Sequence, residues 1–379
     1  MADVVEIHDP EQLEQYRLMW NSLLPRTPRA SFFHTFDWFR LYWKHFGQQQ
    51  NMRVLVVRAL GAPIGIVPLC VHRRRYRVGN VRVLSYPLDD WGMWYGPIGP
   101  HQSASMFMAL KHLRETPRDW DLLDLRWTPA EHTDHNATGR ALRATGWRPH
   151  KSAYQQASIV RMDHDWDHYL ASKSSKWRTE LRRQLRVVER AGDVEFVRYR
   201  PAGVCQGDGD PRWDLFDACR ELAAVSWQGQ STTGNTLSHE PYDRFLRDCH
   251  QASAKLGMLD VSLLKLDGRP VAFAYNYHYD GNVYGLRMGY DPRLSNHGLG
   301  KALLARTLQD SFARGDRQYD LGVGEYEFKR RFRTDVETSY RYTCYPRLAL
   351  RSQSVRFSQW LKQRFAPQAA LPDTKVRTA

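Results

Sequence analysis

Two glycines separated by a single residue precede a helical pattern in the second half of the chain. Residues 295–308 read SNHGLGKALLARTL, with Gly298 and Gly300 just before the apolar periodicity. Glycine allows positive φ and a close approach to the backbone, while a helix start offers unpaired N–H groups and a positive dipole end to an anion. The spacing therefore predicts a phosphate-binding turn. Its predicted contacts are Tyr290, Asn296, His297, Gly298, Leu299, Gly300 and Lys301.

Two common nucleotide motifs do not fit this turn. A dinucleotide-binding turn needs GxGxxG directly after a strand, with an acidic residue about 20 positions later, whereas GLGKAL has no third glycine. A P-loop needs Ser or Thr after its Gly-Lys pair, and Ala302 follows Lys301 here. The turn therefore favours a different phosphate-bearing cofactor.

A second group of reactive side chains follows at 319–332, YDLGVGEYEFKRRF. Glu325 ends a strand pattern and is the candidate general base, with an ion pair to Lys329 or an arginine as the structural alternative. Tyr326 could donate a proton to a leaving group, or it could be a packed aromatic residue. Lys329 could pair with an anionic substrate or phosphate group, or it could be an exposed surface lysine.

Three further candidates lie on neighbouring segments. His278, late in a predicted hairpin, could relay a proton or be an ordinary strand histidine. Arg287 on the third strand could bind an anionic substrate or pair across the sheet, and Trp227 is a candidate substrate contact. We expect no metal, because the histidine pairs at 132/135 and 164/168 have no third ligand nearby and the five cysteines are far apart.

The elements that must position these residues follow from periodicity. Residues 259–278 predict a hairpin, 282–289 a third strand, and the stretch after the glycines a helix. Another helix is predicted from Ser174 to Gly192, with four apolar residues on one face. Its basic residues are Lys176, Arg178, Arg182, Arg183, Arg186 and Arg190. They predict a solvated face or a phosphate-binding face, with Arg178 and Arg182 as candidate substrate contacts.

Residues 36–69 and 242–275 share an order of helix and hairpin, which indicates an internal repeat. The first copy has prolines where the second has its open glycine turn, so the second copy should hold the cofactor. We predict an N-terminal domain at 1–160, a catalytic domain at 161–350, and a basic C-terminal helix and tail at 351–379.

The 379 residues carry a formal charge of +14. Such a field favours anionic partners, including nucleic acid, phosphorylated cofactors and acidic membrane surfaces. The N-terminus has no apolar signal segment, and the longest apolar-looking run, 61–71, is too short to span a bilayer. We expect a cytoplasmic protein, with peripheral membrane contact through charge as an open alternative.

The order of these elements resembles the GNAT superfamily of acyltransferases: a hairpin, a third strand, the glycine turn and then a helix. Its pyrophosphate turn begins with Gln or Arg, where this chain has Ser295. The basic helix and VSWQGQSTTG at 225–234 look like the FemAB-like and CelD-type (cellulose-biosynthesis-associated) branch. That branch's closing motif matches at Asp320, Gly324, Glu325, Phe328 and Lys329.

The resemblance implies an α/β (α+β) fold of two tandem GNAT-like domains, each with a mixed, mostly antiparallel sheet flanked by helices. It implies direct transfer of an acyl group, with acetyl expected, from acyl-CoA to an amine or hydroxyl. The strand at 283–290 would supply a backbone N–H to the oxyanion. The acceptor would be a small molecule, glycan or peptide of cell-envelope, polysaccharide or natural-product type. One alternative is a FemAB-like enzyme that takes aminoacyl-tRNA as its donor. The other is a non-catalytic GNAT-like binding protein.

Overall fold

A computed structural model describes residues 2–88, 90–232, 235–324 and 326–365. The strands in this part of the chain are β1 (Ala2–Ile7), β2 (Asn51–Ala59), β3 (Ala62–Tyr76), β4 (Gly79–Ser85), β5 (Leu122–Thr128), β6 (Pro149–Arg161), β7 (Val194–Tyr199), β8 (Leu259–Leu266), β9 (Arg269–Tyr279), β10 (Asn282–Tyr290), β11 (Gln318–Val323) and β12 (Asp335–Cys344).

The helices are α1 (Pro10–Glu14), α2 (Arg17–Leu23), α3 (Phe36–Phe46), α4 (Gln102–Glu115), α5 (Glu131–Asp134), α6 (Ala137–Ala144), α7 (Trp166–Ala171), α8 (Ser175–Arg190), α9 (Trp213–Val225), α10 (Asp243–Lys255), α11 (Leu299–Ala313), α12 (Glu327–Phe332) and α13 (Leu350–Phe365). The chain divides into two units. One comprises Met1–Gln156 and Glu337–Ala379, and the other comprises Ala157–Val336.

The first unit is built on an antiparallel meander of β1, β2, β3 and β4. β5 then pairs parallel with β4 and antiparallel with β12. The apolar face of α3 holds the helix against the sheet, because Phe36 and Phe39 pack with Trp20 and with the inward side chains of β2. Thr35 caps the helix by accepting a hydrogen bond from the backbone N–H of Trp38 at 3.0 Å.

The second unit repeats this plan with β7, β8, β9 and β10 as an antiparallel meander. Its hairpins turn at Asp-Gly pairs in which both residues have positive φ, 50° and 75° at Asp267-Gly268 and 46° and 69° at Asp280-Gly281. Those angles match the twist of the adjoining strands. β11 pairs parallel with β10 and antiparallel with β6.

Helix, hairpin, third strand, helix and parallel strand therefore occur in the same order in both units. The predicted fold class, an α/β fold of two similar units with mixed, mostly antiparallel sheets flanked by helices, is confirmed. The partition into 1–160, 161–350 and 351–379 stays a prediction; the compact units place Glu337 and the described residues after it with the first unit.

Two helices hold the glycine turn against the sheet of the second unit. α11 is buried along its length and packs on β9 and β10 through residues such as Leu303 and Leu304. α8 contributes Leu181 and Val188 to the same apolar clusters. Ser174 caps α8 by accepting a hydrogen bond from the N–H of Trp177 at 3.3 Å. The turn is thus fixed on both sides by packed helices.

Candidate functional site

The predicted glycine turn is the start of α11. Gly298 has φ of 70° and precedes the first helical residue, Leu299. The N–H of Lys301 bonds to the carbonyl of Gly298 at 3.1 Å, so the N–H groups of Leu299 and Gly300 precede the first intrahelical bond and have no acceptor within the helix. A Cβ at Gly300 would lie 3.2 Å from the ring of Tyr290. Glycine at this position lets the aromatic ring approach the helix start closely.

This turn forms one wall of a groove of about 300 Å³. The groove is lined by Arg183, Gln184, Val187, Met288, Tyr290, His297, Gly298, Leu299, Gly300, Lys301 and Phe328. Six of the seven predicted cofactor contacts are therefore brought together. The seventh, Asn296, has a side chain outside the described residues.

The opposite wall of the groove was predicted only in part, because Arg183 belongs to the basic face that the sequence offered for phosphates but was not singled out. It comes from α8, through Arg183, Gln184 and Val187. The predicted contacts Arg178 and Arg182 lie on the same helix but line a second hollow, of about 230 Å³. Because successive helical residues are rotated by about 100°, one side of α8 faces each hollow. The sequence pattern indicated this basic helix, but its periodicity did not show which of the arginines faces the glycine turn.

β10 and β11 separate beside this groove. Their parallel pairing covers only Asn282–Tyr284 and Gln318–Asp320, and β10 then has a bulge between Gly285 and Arg287. Beyond the bulge, the carbonyl of Met288 accepts hydrogen bonds from Trp227 Nε1 at 3.2 Å and Gln228 Nε2 at 3.4 Å. In a regular strand the N–H and C=O of one residue face the same edge, so the N–H of Met288 faces the edge that β11 has left.

The point of separation depends on Gly285. A Cβ at this position would lie 2.5 Å from the carbonyl oxygen of Asp320, so Gly285→Ala should force the two backbones apart. We expect a loss of about 1–3 kcal/mol in the free energy of unfolding, as for overpacked cores, measured by urea denaturation. The matched control is Gly96→Ala, where a Cβ meets nothing within 4 Å. Equal stability of the two variants would contradict this account of the strand separation.

Lys329 and Arg287 lie near the same strand ends. Lys329 is buried, and its Nζ donates to the carbonyl of Val323 at 2.6 Å. Burial lowers the pKa of Lys329 to about 8, with Asp320 raising it and Arg287 lowering it further. The predicted surface alternative for Lys329 is therefore wrong. Arg287 Nη1 donates to the carbonyl of Leu286 at 2.6 Å, and its Nε donates to that of Asn235.

The three predicted catalytic residues have different surroundings. Glu325 lies outside the described residues. Tyr326 precedes α12, is partly exposed and stacks on Phe328, a groove residue, with ring centroids 6.0 Å apart. His278 pairs with Val283 across β9 and β10. Seven residues at about 3.3 Å each place that position roughly 23 Å along β10 from Tyr290.

His278 belongs to a buried ionic cluster instead of the groove. Burial lowers its pKa, and the nearby charge of Arg200 lowers it further. Arg200 in turn donates to Asp260 at 3.0 Å and to Asp316 at 2.7 Å. The structure thus gives His278 a place among structural charges, away from the glycine turn.

Among the described residues, no group of three or more His, Cys, Asp and Glu could hold a metal ion. No described helix is long and apolar enough to cross a bilayer.

A comparison with protein families matches one segment of the second unit. Residues 175–330 match the family model described as the acetyltransferase (GNAT) domain. This segment contains α8, the glycine turn, and the separating strands. No curated protein matches the sequence.

Solved structures show the same fold over nearly the whole chain. FemX is similar with a TM-score of 0.61 and 12% identity, covering 95% of this chain and 99% of FemX. The C-terminal domain of a candidate lysylphosphatidylglycerol synthetase from Agrobacterium fabrum is similar with a TM-score of 0.55 and 13% identity, covering 92% and 96%. Residues 175–330 therefore match the acetyltransferase (GNAT) domain model, in a chain whose fold is similar to that of FemX.

Proposed function

We propose that this chain transfers an acyl group, with acetyl expected, from acyl-CoA to an amine or hydroxyl of its acceptor. The observation that carries the proposal is the groove beside the glycine turn. It joins a helix start suited to a pyrophosphate with a strand edge suited to an acyl carbonyl. Its volume of about 300 Å³ is at the lower end of the range for small-molecule sites.

Each part of the donor has a complementary wall in this groove. The N–H groups of Leu299 and Gly300, at the positive end of α11, suit the pyrophosphate. Arg183 adds positive charge at the groove, and Lys301 lines it with its Nζ 3.7 Å from Glu180 Oε1. The side chains of Val187, Met288 and Phe328 are apolar and suit the pantetheine arm, which would run along β10 toward the bulge.

The proposed reaction is direct transfer in a ternary complex. The acceptor nitrogen or oxygen attacks the thioester carbonyl, the C–S bond breaks, and the CoA thiolate leaves and takes a proton. A backbone N–H on the open edge of β10, that of Met288, would stabilise the oxyanion. Glu325 is proposed to take the acceptor's proton and Tyr326 to protonate the thiolate. Arg287, Lys329 and Trp227 are proposed to contact the acceptor.

The acceptor class rests on resemblance. We propose a small molecule, glycan or peptide of cell-envelope, polysaccharide or natural-product type.

A second candidate donor, aminoacyl-tRNA, is favoured by the basic residues of α8. The six residues Lys176, Arg178, Arg182, Arg183, Arg186 and Arg190 form no ion pair with a described residue. The acidic residues of the helix are already paired, Glu180 with Arg331 at 2.7 Å and Glu189 with Arg306 at 2.9 Å. A row of unneutralised cations also suits an RNA backbone.

Isothermal titration distinguishes the two donors. We expect CoA and acetyl-CoA to bind with dissociation constants below about 1 mM, the usual upper range for enzyme substrates. NAD⁺ is the control ligand, because it shares the pyrophosphate but its motif is absent, and it should not bind measurably. tRNA is titrated in parallel at low and high salt. Salt-sensitive tRNA binding without any heat from millimolar CoA would reject the acyl-CoA proposal and favour the second donor.

A further inference from the structure

The C-terminal helix α13 buries one face and exposes an apolar stripe on the other. Val355 packs with Val81, Val83 and Leu122 of the first unit, and Ser352 is fully buried. Large apolar side chains on the outer side are exposed to solvent. They are Leu350 at 84%, Phe357 at 60% and Trp360 at 47%, with Leu348 at 92% just before the helix. A folded protein rarely exposes so many large apolar groups together without a partner.

Basic residues flank this stripe. At about 100° per residue, Leu350 and Phe357 share one face, with Arg351 and Arg356 on its two sides. The guanidinium of Arg364 lies 5.1 Å from the ring centre of Trp360. The whole segment 345–365 contains five basic residues, at 347, 351, 356, 362 and 364, and no Asp or Glu. An apolar stripe with cationic borders is the pattern of a helix that lies in a membrane interface.

We propose that α13 docks this face on an anionic bilayer surface. The apolar stripe would enter the boundary between headgroups and acyl chains, with Trp360 at headgroup level. The arginines would pair with lipid phosphates. A second copy of this chain fits poorly, because it would bring two basic helices together without acidic partners. A nucleic acid would satisfy the arginines but leave Leu348 and Leu350 exposed.

Vesicle flotation of the full chain tests this docking surface. The probes are vesicles of phosphatidylcholine alone and of phosphatidylcholine with one quarter phosphatidylglycerol. We expect wild-type protein to float with the anionic vesicles and to bind them less at high salt. The double variant Phe357→Ser/Trp360→Ser should bind the anionic vesicles about tenfold or more weakly, because each substitution removes apolar surface that the bilayer would bury. The variant Arg351→Gln/Arg356→Gln should lose about fivefold in vesicle affinity for each arginine replaced.

The matched control is Leu18→Ser/Leu60→Ser, which removes two apolar side chains of the same unit that are 83% and 88% exposed. It should bind vesicles like wild type, and because all these positions are on the surface, the variants should keep the wild-type melting temperature. Failure of wild type to float, or equal flotation of the α13 variants and the control, would overturn the proposal. A concentration-dependent dimer abolished by Phe357→Ser/Trp360→Ser, without vesicle binding, would assign the face to a second copy instead.

Discussion

Replacing Gly298 by aspartate is expected to weaken CoA binding by about a hundredfold or more. A Cβ at this position would point toward Gln184, 3.6 Å from its Cδ, across the groove that both residues line. An added carboxylate would therefore face the proposed pyrophosphate. Two like charges about 4 Å apart at a protein surface repel by about 4 kcal/mol. Titration calorimetry with CoA would measure the loss.

Gly298→Asn is the matched control for this charge. Both Asp and Asn tolerate the left-handed backbone conformation better than other side chains do, so each should keep the turn at φ of 70°. Asn has the size of Asp without its charge, and it should weaken CoA binding much less. Similar affinities of the Asp variant and wild type would mean that CoA does not occupy this groove. Equal losses in both variants would point to a steric effect.

Asp260→Asn should be the most destabilising single substitution of a charged residue in the second unit. Asp260 is fully buried and accepts hydrogen bonds from Arg198 at 3.1 and 2.7 Å and from Arg200 at 3.0 Å. Losing its charge leaves two buried guanidiniums undercompensated, which costs about 3–5 kcal/mol. Urea unfolding followed by tryptophan fluorescence would show the lower midpoint.

The surface pair of Asp280 and Arg317 is the control for Asp260. Both side chains are mostly exposed and lie 2.9 Å apart, so Asp280→Asn should change the free energy of unfolding by less than about 1 kcal/mol. If both Asn variants unfold at the same urea concentration, the buried cluster does not stabilise the second unit as its geometry indicates.

The buried cluster of Asp260, Arg198 and Arg200 also predicts that the free energy of unfolding depends on pH. Burial alone would raise the pKa of Asp260, but Arg198 and Arg200 outweigh it and lower the pKa. The folded state therefore holds this proton less tightly than the unfolded chain, where the pKa is about 3.9. The stabilisation is present above about pH 4 and is lost as pH falls below it. Asp260→Asn should lack this part of the acid sensitivity of wild type.

The candidate site was predictable where its signal is local in sequence. Glycine before a helix has a backbone reason, so Gly298 and its neighbours could be named from spacing alone. The other wall of the groove depends on how α8 packs on α11, and sequence periodicity gives the apolar face without saying what lies beside it. Arg183 was therefore no more conspicuous than Arg178 or Arg182. The surroundings of His278 could not be predicted for a related reason, since its charged neighbours Arg200 and Asp260 are distant in sequence.

The sequence by itself determined the shared order of helix and hairpin in both units, the hairpin turns of the second unit and the start of α11. These follow from alternation, Asp-Gly pairs and glycine before a helix, which act over a few residues. Only the tertiary structure decided that β10 and β11 separate after Tyr284 and Asp320, that Lys329 is buried, and that α13 leaves Phe357 and Trp360 exposed. Those properties depend on which segments far apart in the chain meet, and periodicity within one segment carries no information about its partner.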